Sequence, residues 1–127
     1  MELIQERDRL ELVHEQGNWC LKEGAGFSPV QLVAAATAAC STYVFENLLN
    51  MREVTYAMKK VVLDYQLGSY YPNPLARIDV QFVMQAEGRD REEVEHVFYQ
   101  IAENCPVLQS LHPRIKVNES IRFHLIK

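Results

Sequence analysis

The sequence lacks the usual signatures of several common functions. It has no CxxC or HxxxH pair, and its four histidines, His14, His96, His112 and His124, are scattered, so no metal site and no cofactor is expected. It has no basic stripe: 13 Lys and Arg stand against 17 Asp and Glu, a net charge of −4, and a surface of that sign does not neutralise phosphates, which excludes nucleic acid as a partner. No basic n-region leads into an apolar h-region at the start, so no secretory signal is expected. The apolar tract at 30–45 is interrupted by Gln31, Thr37, Ser41 and Thr42 and falls short of the roughly 20 residues that span a bilayer, so no membrane is expected as a partner and the expected location is cytoplasmic. Repeats, low-complexity tracts and linkers are absent, and 127 residues suffice for a single domain, 1–127, with a real core.

Cysteine is scarce and odd in number: Cys20, Cys40 and Cys105 are far apart in the chain and do not form a disulfide framework. Glycine and proline are missing from Val30 to Leu67, and the first part of that interval is the longest helical signal in the chain. Ser28 suits an N-cap and Pro29 the first helical position, where no donor is needed. The stretch SPVQLVAAATAACSTYVFENLLNM, residues 28–51, therefore predicts one helix of about 22 residues, on the order of 33 Å long. From Ala34 to Thr42 every side chain is small, with Cys40 in the middle. Such a face lets another backbone approach closely. Cys40 itself is open to two readings, a small buried hydrophobe or a reactive thiol.

The remainder reads as strands and short helices. Residues 1–23 carry short strands, with turns at Asp8 and at Gly17-Asn18, and Trp19 and Cys20 are read as packing residues. Residues 22–27, KEGAGF, form an approach loop. Val61, Leu63, Tyr65 and Leu67 alternate with polar residues, GSYYPNP turns the chain, and Ile78, Val80, Phe82, Met84 and Ala86 alternate again, giving an antiparallel hairpin with one covered face. Asp90 caps a second helix whose Val94, Val97, Phe98 and Ile101 recur at helical spacing. A short helix follows from Pro106 to Leu111, and a last strand places Val117, Ile121, Phe123 and Leu125 on one face. The fold class is α+β, an antiparallel sheet packed on the long helix, with an intertwined homodimer supplying cover for the Ala-rich flank.

Cys105 stands directly before Pro106, the N-cap position of the short helix, where unsatisfied N–H donors favour a thiolate. Cys40 lies mid-helix and needs a nearby cation, for which Arg7, Arg9 and Arg122 are candidates. If the two thiols meet, a thiolate that attacks a peroxide becomes a sulfenic acid, the second thiol condenses with it to a disulfide, and an external dithiol resets the pair.

The stretches SPVQLVAAATAAC, ENCPVLQSL and KVNESIRFHLI resemble the OsmC/Ohr family, osmotically inducible protein C and organic hydroperoxide resistance protein. The similarity runs from about Phe27 to Lys127; before it only the strand content matches. The resemblance implies an intertwined homodimer with sites at the subunit interface and thiol-dependent reduction of small organic hydroperoxides, as in oxidative stress defence. By it, Cys40 is the peroxidatic thiol and Cys105 the resolving one. The family's peroxidases add an N-terminal Arg, for which Arg7 and Arg9 are the candidates, and a Glu directly after the proline. Here Val30 occupies that place, leaving Gln31 or Glu46 to do its work. Two other readings remain open: a non-catalytic relative that binds an apolar molecule or senses oxidants, and a hotdog-type thioesterase using Glu46.

Overall fold

A computed structural model describes residues 1–124. The expected Leu125 of the last strand lies outside the described residues. The chain consists of two compact units, Met1–Val33 and Ala34–Lys127.

In the first unit β1 (Leu3–Glu6), β2 (Arg9–Leu12) and β3 (Trp19–Cys20) form an antiparallel sheet in that order, with turns where the sequence places them. Arg7 takes a positive φ of 57° in the β1–β2 turn. Trp19 does not pack as expected. Its ring is more than half exposed, near His14.

The long helix, α1, spans Pro29–Met51. Its start is a reciprocal capping box. Gln31 N–H donates to Ser28 Oγ at 3.1 Å, and Ser28 N–H donates to Gln31 Oε1 at 2.8 Å, so two orphan helix-end donors are satisfied. Its end is a Schellman closure: Val54 N–H reaches Leu49 O and Glu53 N–H reaches Asn50 O, both at 3.1 Å. The left-handed residue in that closure is Glu53, at φ 57°, where glycine is the usual occupant.

In the second unit β4 (Tyr56–Leu67) and β5 (Leu75–Ala86) form the expected antiparallel hairpin. A bulge between Met58 and Lys60 changes which residues face inward, from Tyr56 and Met58 to Val61 and Tyr65. Val61 and Tyr65 pack on the core as expected, but Leu63 and Leu67 of the same parity are more than a third exposed, and a second register shift falls between Gln66 and Leu67. Next come a 3-10 turn at Gly88–Asp90 and three helical pieces: α2 (Arg91–Phe98), α3 (Ile101–Asn104) and α4 (Pro106–Ser110). The second predicted helix is thus broken at Tyr99-Gln100 as well as at Cys105.

The last strand, β6 (Lys116–Phe123), pairs with β5 in parallel, so the sheet is mixed and not wholly antiparallel. Parallel neighbours need a crossover of a dozen or more residues, and the helical segment between β5 and β6 supplies it.

The core lies between the sheet and the helices. Ala34, Ala38, Phe45 and Leu49 of α1 meet Ile78, Val80, Phe82, Met84 and Ala86 of β5, together with Val94 and Val97 of α2 and Ile101 of α3. At its centre Phe45, Phe82 and Phe98 contact one another with centroids 5.1 to 6.3 Å apart, tilted or edge to face. That arrangement adds about 0.5–1.5 kcal/mol per pair beyond area burial. By length and composition α1 is apolar enough to cross a bilayer, with a mean hydropathy of 1.3 in its best window, which is more than the 30–45 tract alone indicates. Its apolar face is used instead against β5 and α2.

Replacing Glu53 by glycine is expected to stabilise the protein by about 1 kcal/mol, the cost of a left-handed conformation for a residue with a Cβ. Urea unfolding measures it, and a loss of stability would contradict the Schellman assignment.

Candidate functional site

Helical periodicity decides which residues of α1 point inward. Ala34, Thr37, Ala38, Ser41, Thr42, Phe45 and Leu49 are buried, three or four residues apart. Cys40 sits at the edge of this face and is half-buried, whereas Ser41 next to it has no exposure.

Cys105 approaches from the other side of the chain's second unit. Pro106 disfavours a helical residue before it, so Cys105 is extended (φ −98°, ψ 108°) and separates α3 from α4. Its side chain is wholly buried. Its carbonyl accepts the first bond of α4, from Gln109 N–H at 3.0 Å.

These two segments place three side chains together. Ser41 Oγ lies 4.0 Å from Cys105 Sγ, a long contact in which either group can donate. Cys40 lies near enough to the Cys105 thiol to raise its pKa. The two cysteines singled out in the sequence are therefore neighbours in the fold.

The electrostatics of Cys105 differ from the expectation for an N-cap thiol. Burial pushes its pKa up from the usual value, and the Cys40 thiol pushes it further in the same direction. The Leu108 backbone N–H, at the third position of α4, and the Ser41 hydroxyl pull it down, but less than burial raises it. No full capping bond to the sulfur forms, which explains why the helix end does not win. Cys105 is thus predominantly a thiol at neutral pH.

A fourth group belongs to this cluster and is not evident from a plain reading of the sequence. Glu119 lies on β6, paired with Val80 of β5, and every second residue of that strand is turned inward: Val117, Glu119, Ile121 and Phe123. Burial raises the pKa of its carboxyl, and the Ser41 side chain opposes that rise. Its Oε2 is buried without a hydrogen-bond partner. The available signal was the parity of β6, because a glutamate occupies a position where the alternation calls for an apolar residue.

The other candidates have settings or partners of their own. Arg7 is exposed in the β1–β2 turn. Arg9 is half-buried, and its Nη1 reaches Cys20 Sγ at 4.0 Å within the first unit. Arg122 is on the outward face of β6. The side-chain oxygen of Gln31 is spent on the helix cap. Glu46 Oε2 accepts from the Tyr56 hydroxyl at 3.1 Å, and burial, followed by the Glu46 charge, pushes the Tyr56 pKa up to about 12. Phe45 belongs to the core. Tyr43 lines a hollow of about 270 Å³ with Ala35, Ala38, Ala39, Thr42, Val61 and Leu63. That hollow is mostly apolar, and Cys40 is not among its lining residues. Among the described residues no group of three His, Cys, Asp or Glu is placed to hold a metal ion.

A comparison with curated protein sequences gives no match. Solved structures share the fold. A hypothetical protein from Aquifex aeolicus VF5 superposes with a TM-score of 0.79 at 18% identity, covering 99% of this chain and 96% of that one. The OsmC-like protein from Mycoplasma pneumoniae gives 0.73 at 15% identity, covering 96% and 94%. The organic hydroperoxide resistance protein OhrB of Bacillus subtilis gives 0.64 at 17% identity, covering 95% of each chain. The family model for OsmC-like protein matches residues 22–120, which carry α1, the β4–β5 hairpin, Cys105 and the first part of β6, and the chain therefore belongs to the OsmC-like family.

Proposed function

We propose that the protein reduces small organic hydroperoxides by a two-cysteine cycle, as part of peroxide defence in the cytoplasm. The observation that carries this reading is the proximity of Cys40 to the buried Cys105, whose thiol it influences. Membership of a family whose relatives include organic hydroperoxide resistance proteins supports it.

Cys40 is the attacking thiol in this scheme. It is half-buried, whereas Cys105 is sealed and its pKa is raised, which keeps it a thiol able to donate toward a Cys40 thiolate. The Cys40 thiolate attacks one peroxide oxygen, the O–O bond breaks, and the alkoxide leaves and takes a proton to become an alcohol. Cys40 is then a sulfenic acid. The Cys105 sulfur attacks the Cys40 sulfur, forming the disulfide and releasing the oxygen as water. An external dithiol reduces the disulfide by exchange, through a mixed disulfide. Arg7 or Arg9 would supply the cation that holds Cys40 as a thiolate.

The functional unit in this reading is a homodimer. Val33, Tyr43, Val62 and Leu63 are large apolar side chains left more than a third exposed on α1 and β4, and a second copy would cover them.

A second reading, oxidant sensing by the same thiols without turnover, is favoured by one observation. Val30 follows Pro29, and the neighbouring Gln31 is committed to the helix cap, so no carboxylate stands there to orient an arginine.

Steady-state loss of cumene hydroperoxide with a dithiol present separates the two. The expected result is many turnovers per protein, abolished in Cys40→Ser and in Cys105→Ser, with the Cys105 variant still consuming about one equivalent in a first burst. One equivalent in the wild type, with no further loss, would establish the sensing reading instead. Thiol alkylation gives an independent check of the assignment. At pH 7 Cys40 is expected to label faster than Cys105, and Cys105 labelling to rise only above the ordinary thiol pKa, because its thiolate is the disfavoured form. Faster labelling of Cys105 would reverse the two roles. Light scattering is expected to give about twice the mass of the 14.7 kDa chain, and the mass of a single chain would remove the dimer.

A further inference from the structure

The cycle above gives Ser41 no part, although its hydroxyl stands at the resolving sulfur. Resting on that reading, we infer that Ser41 is a catalytic residue of the disulfide-forming step: its hydroxyl donates a hydrogen bond to the Cys105 sulfur as that sulfur gives up its proton and attacks Cys40.

Packing alone does not account for a hydroxyl at this position. Ser41 is wholly buried on the face of α1 that also carries Ala34 and Ala38. An alanine there would fill nearly the same space, favour the helix more, and bring no polar group to be desolvated. Its neighbour Thr42, also buried, takes the usual recourse of a helical hydroxyl and donates to the Ala38 carbonyl at 2.8 Å. Ser41 Oγ instead stands 4.0 Å from Cys105 Sγ, a residue 64 positions away in the chain.

With both partners neutral this contact is long, and either group can donate. Once negative charge develops on the sulfur, only the hydroxyl can donate, and a hydrogen bond to a charged acceptor is shorter and about twice as strong. The interaction is therefore greater in the charged state that leads to the S–S bond than in the resting thiol, which is the condition for it to speed the step. Burial makes the donor matter, because the Cys105 side chain has no exposure through which bulk water could stabilise that charge. Ser41 also directly follows Cys40 in α1, so the donor is fixed to the same helix as the sulfur under attack.

In the step itself the Cys105 S–H proton passes to the oxygen of the Cys40 sulfenic acid and the Cys105 sulfur electron pair forms the S–S bond. The S–O bond breaks and the oxygen leaves as water. Ser41 keeps its own proton throughout. The titratable groups that bear on Cys105 and Ser41 are the Cys40 thiol of α1 and Glu119 of β6, whereas α4, PVLQS, carries none. Both are unchanged when only Ser41 is replaced, so a difference between wild type and a Ser41 variant reports the hydroxyl.

Two readouts on full-length wild type and Ser41→Ala, the variant checked for native circular dichroism, test the inference. The first needs no peroxide: the β-carbon chemical shift of Cys105, in protein labelled at cysteine, is followed against pH. Loss of the hydroxyl is expected to move the Cys105 titration up by about one pH unit, the size of one hydrogen bond to a charged group. The second is the fate of the Cys40 sulfenic acid after one equivalent of cumene hydroperoxide with dimedone present, read by mass spectrometry as the ratio of Cys40–Cys105 disulfide to dimedone adduct. That ratio does not depend on the rate of the first attack. In Ser41→Ala it is expected to fall about tenfold near neutral pH and to approach the wild-type ratio in alkali, where the sulfur ionises without help. A Cys105 titration that is the same in both proteins overturns the inference and leaves the peroxidase reading standing. An unchanged ratio overturns it too, as does a ratio lowered equally at every pH, which a displaced Cys105 would produce. If the wild type forms neither product, the peroxidase reading fails and the catalytic role of Ser41 fails with it, whatever the titration gives.

Discussion

The contact between the buried face of α1 and the β5 strand organises the second unit. Ala34 and Ala38 are small enough for a close approach, and Phe45 fills the space beyond them against Phe82 and Phe98. The same helical phase that turns Phe45 inward turns Ser41 inward one turn earlier and leaves Cys40 at the edge. A slip of the helix by one residue would change which of these side chains meets the core. The geometry of the thiol pair therefore follows from the packing of an aromatic cluster that takes no part in the chemistry.

The break at Cys105 is the second constraint. A helix that continued through this position would carry its side chain around the axis and away from α1. Pro106 forbids that, the residue before it becomes extended, and the sulfur is held against Ser41. The result is a thiol placed at a helix start for geometric reasons, in a setting whose burial outweighs the helix dipole. The resolving role proposed for it suits that balance, because burial favours the protonated thiol.

Much of this was legible in the sequence because it depends on local chemistry. Ser28-Pro29 marks the start of α1, the lack of breakers marks its length, and Cys105-Pro106 marks the second thiol's position. What was not legible depends on pairing and environment. Alternation placed Val61 and Tyr65 on the inner face, but the exposure of Leu63 and Leu67 on that same face depends on what covers the strand. The parallel pairing of β6 is set by a crossover rather than by the residues of the strand itself. The rise in the Cys105 pKa reflects how deeply the thiol is covered, a quantity that no spacing encodes. Glu119 was visible in principle, as a carboxylate at an apolar position of an alternating strand.

The central claim is that Cys40 and Cys105 act as one redox unit. Peptide mapping of the protein after one equivalent of an organic hydroperoxide, under conditions that trap free thiols, tests it most directly. The account predicts a single disulfide within the chain, between Cys40 and Cys105, with Cys20 recovered as a free thiol. A bridge to Cys20, or an oxidised Cys40 beside an intact Cys105 thiol, would contradict it.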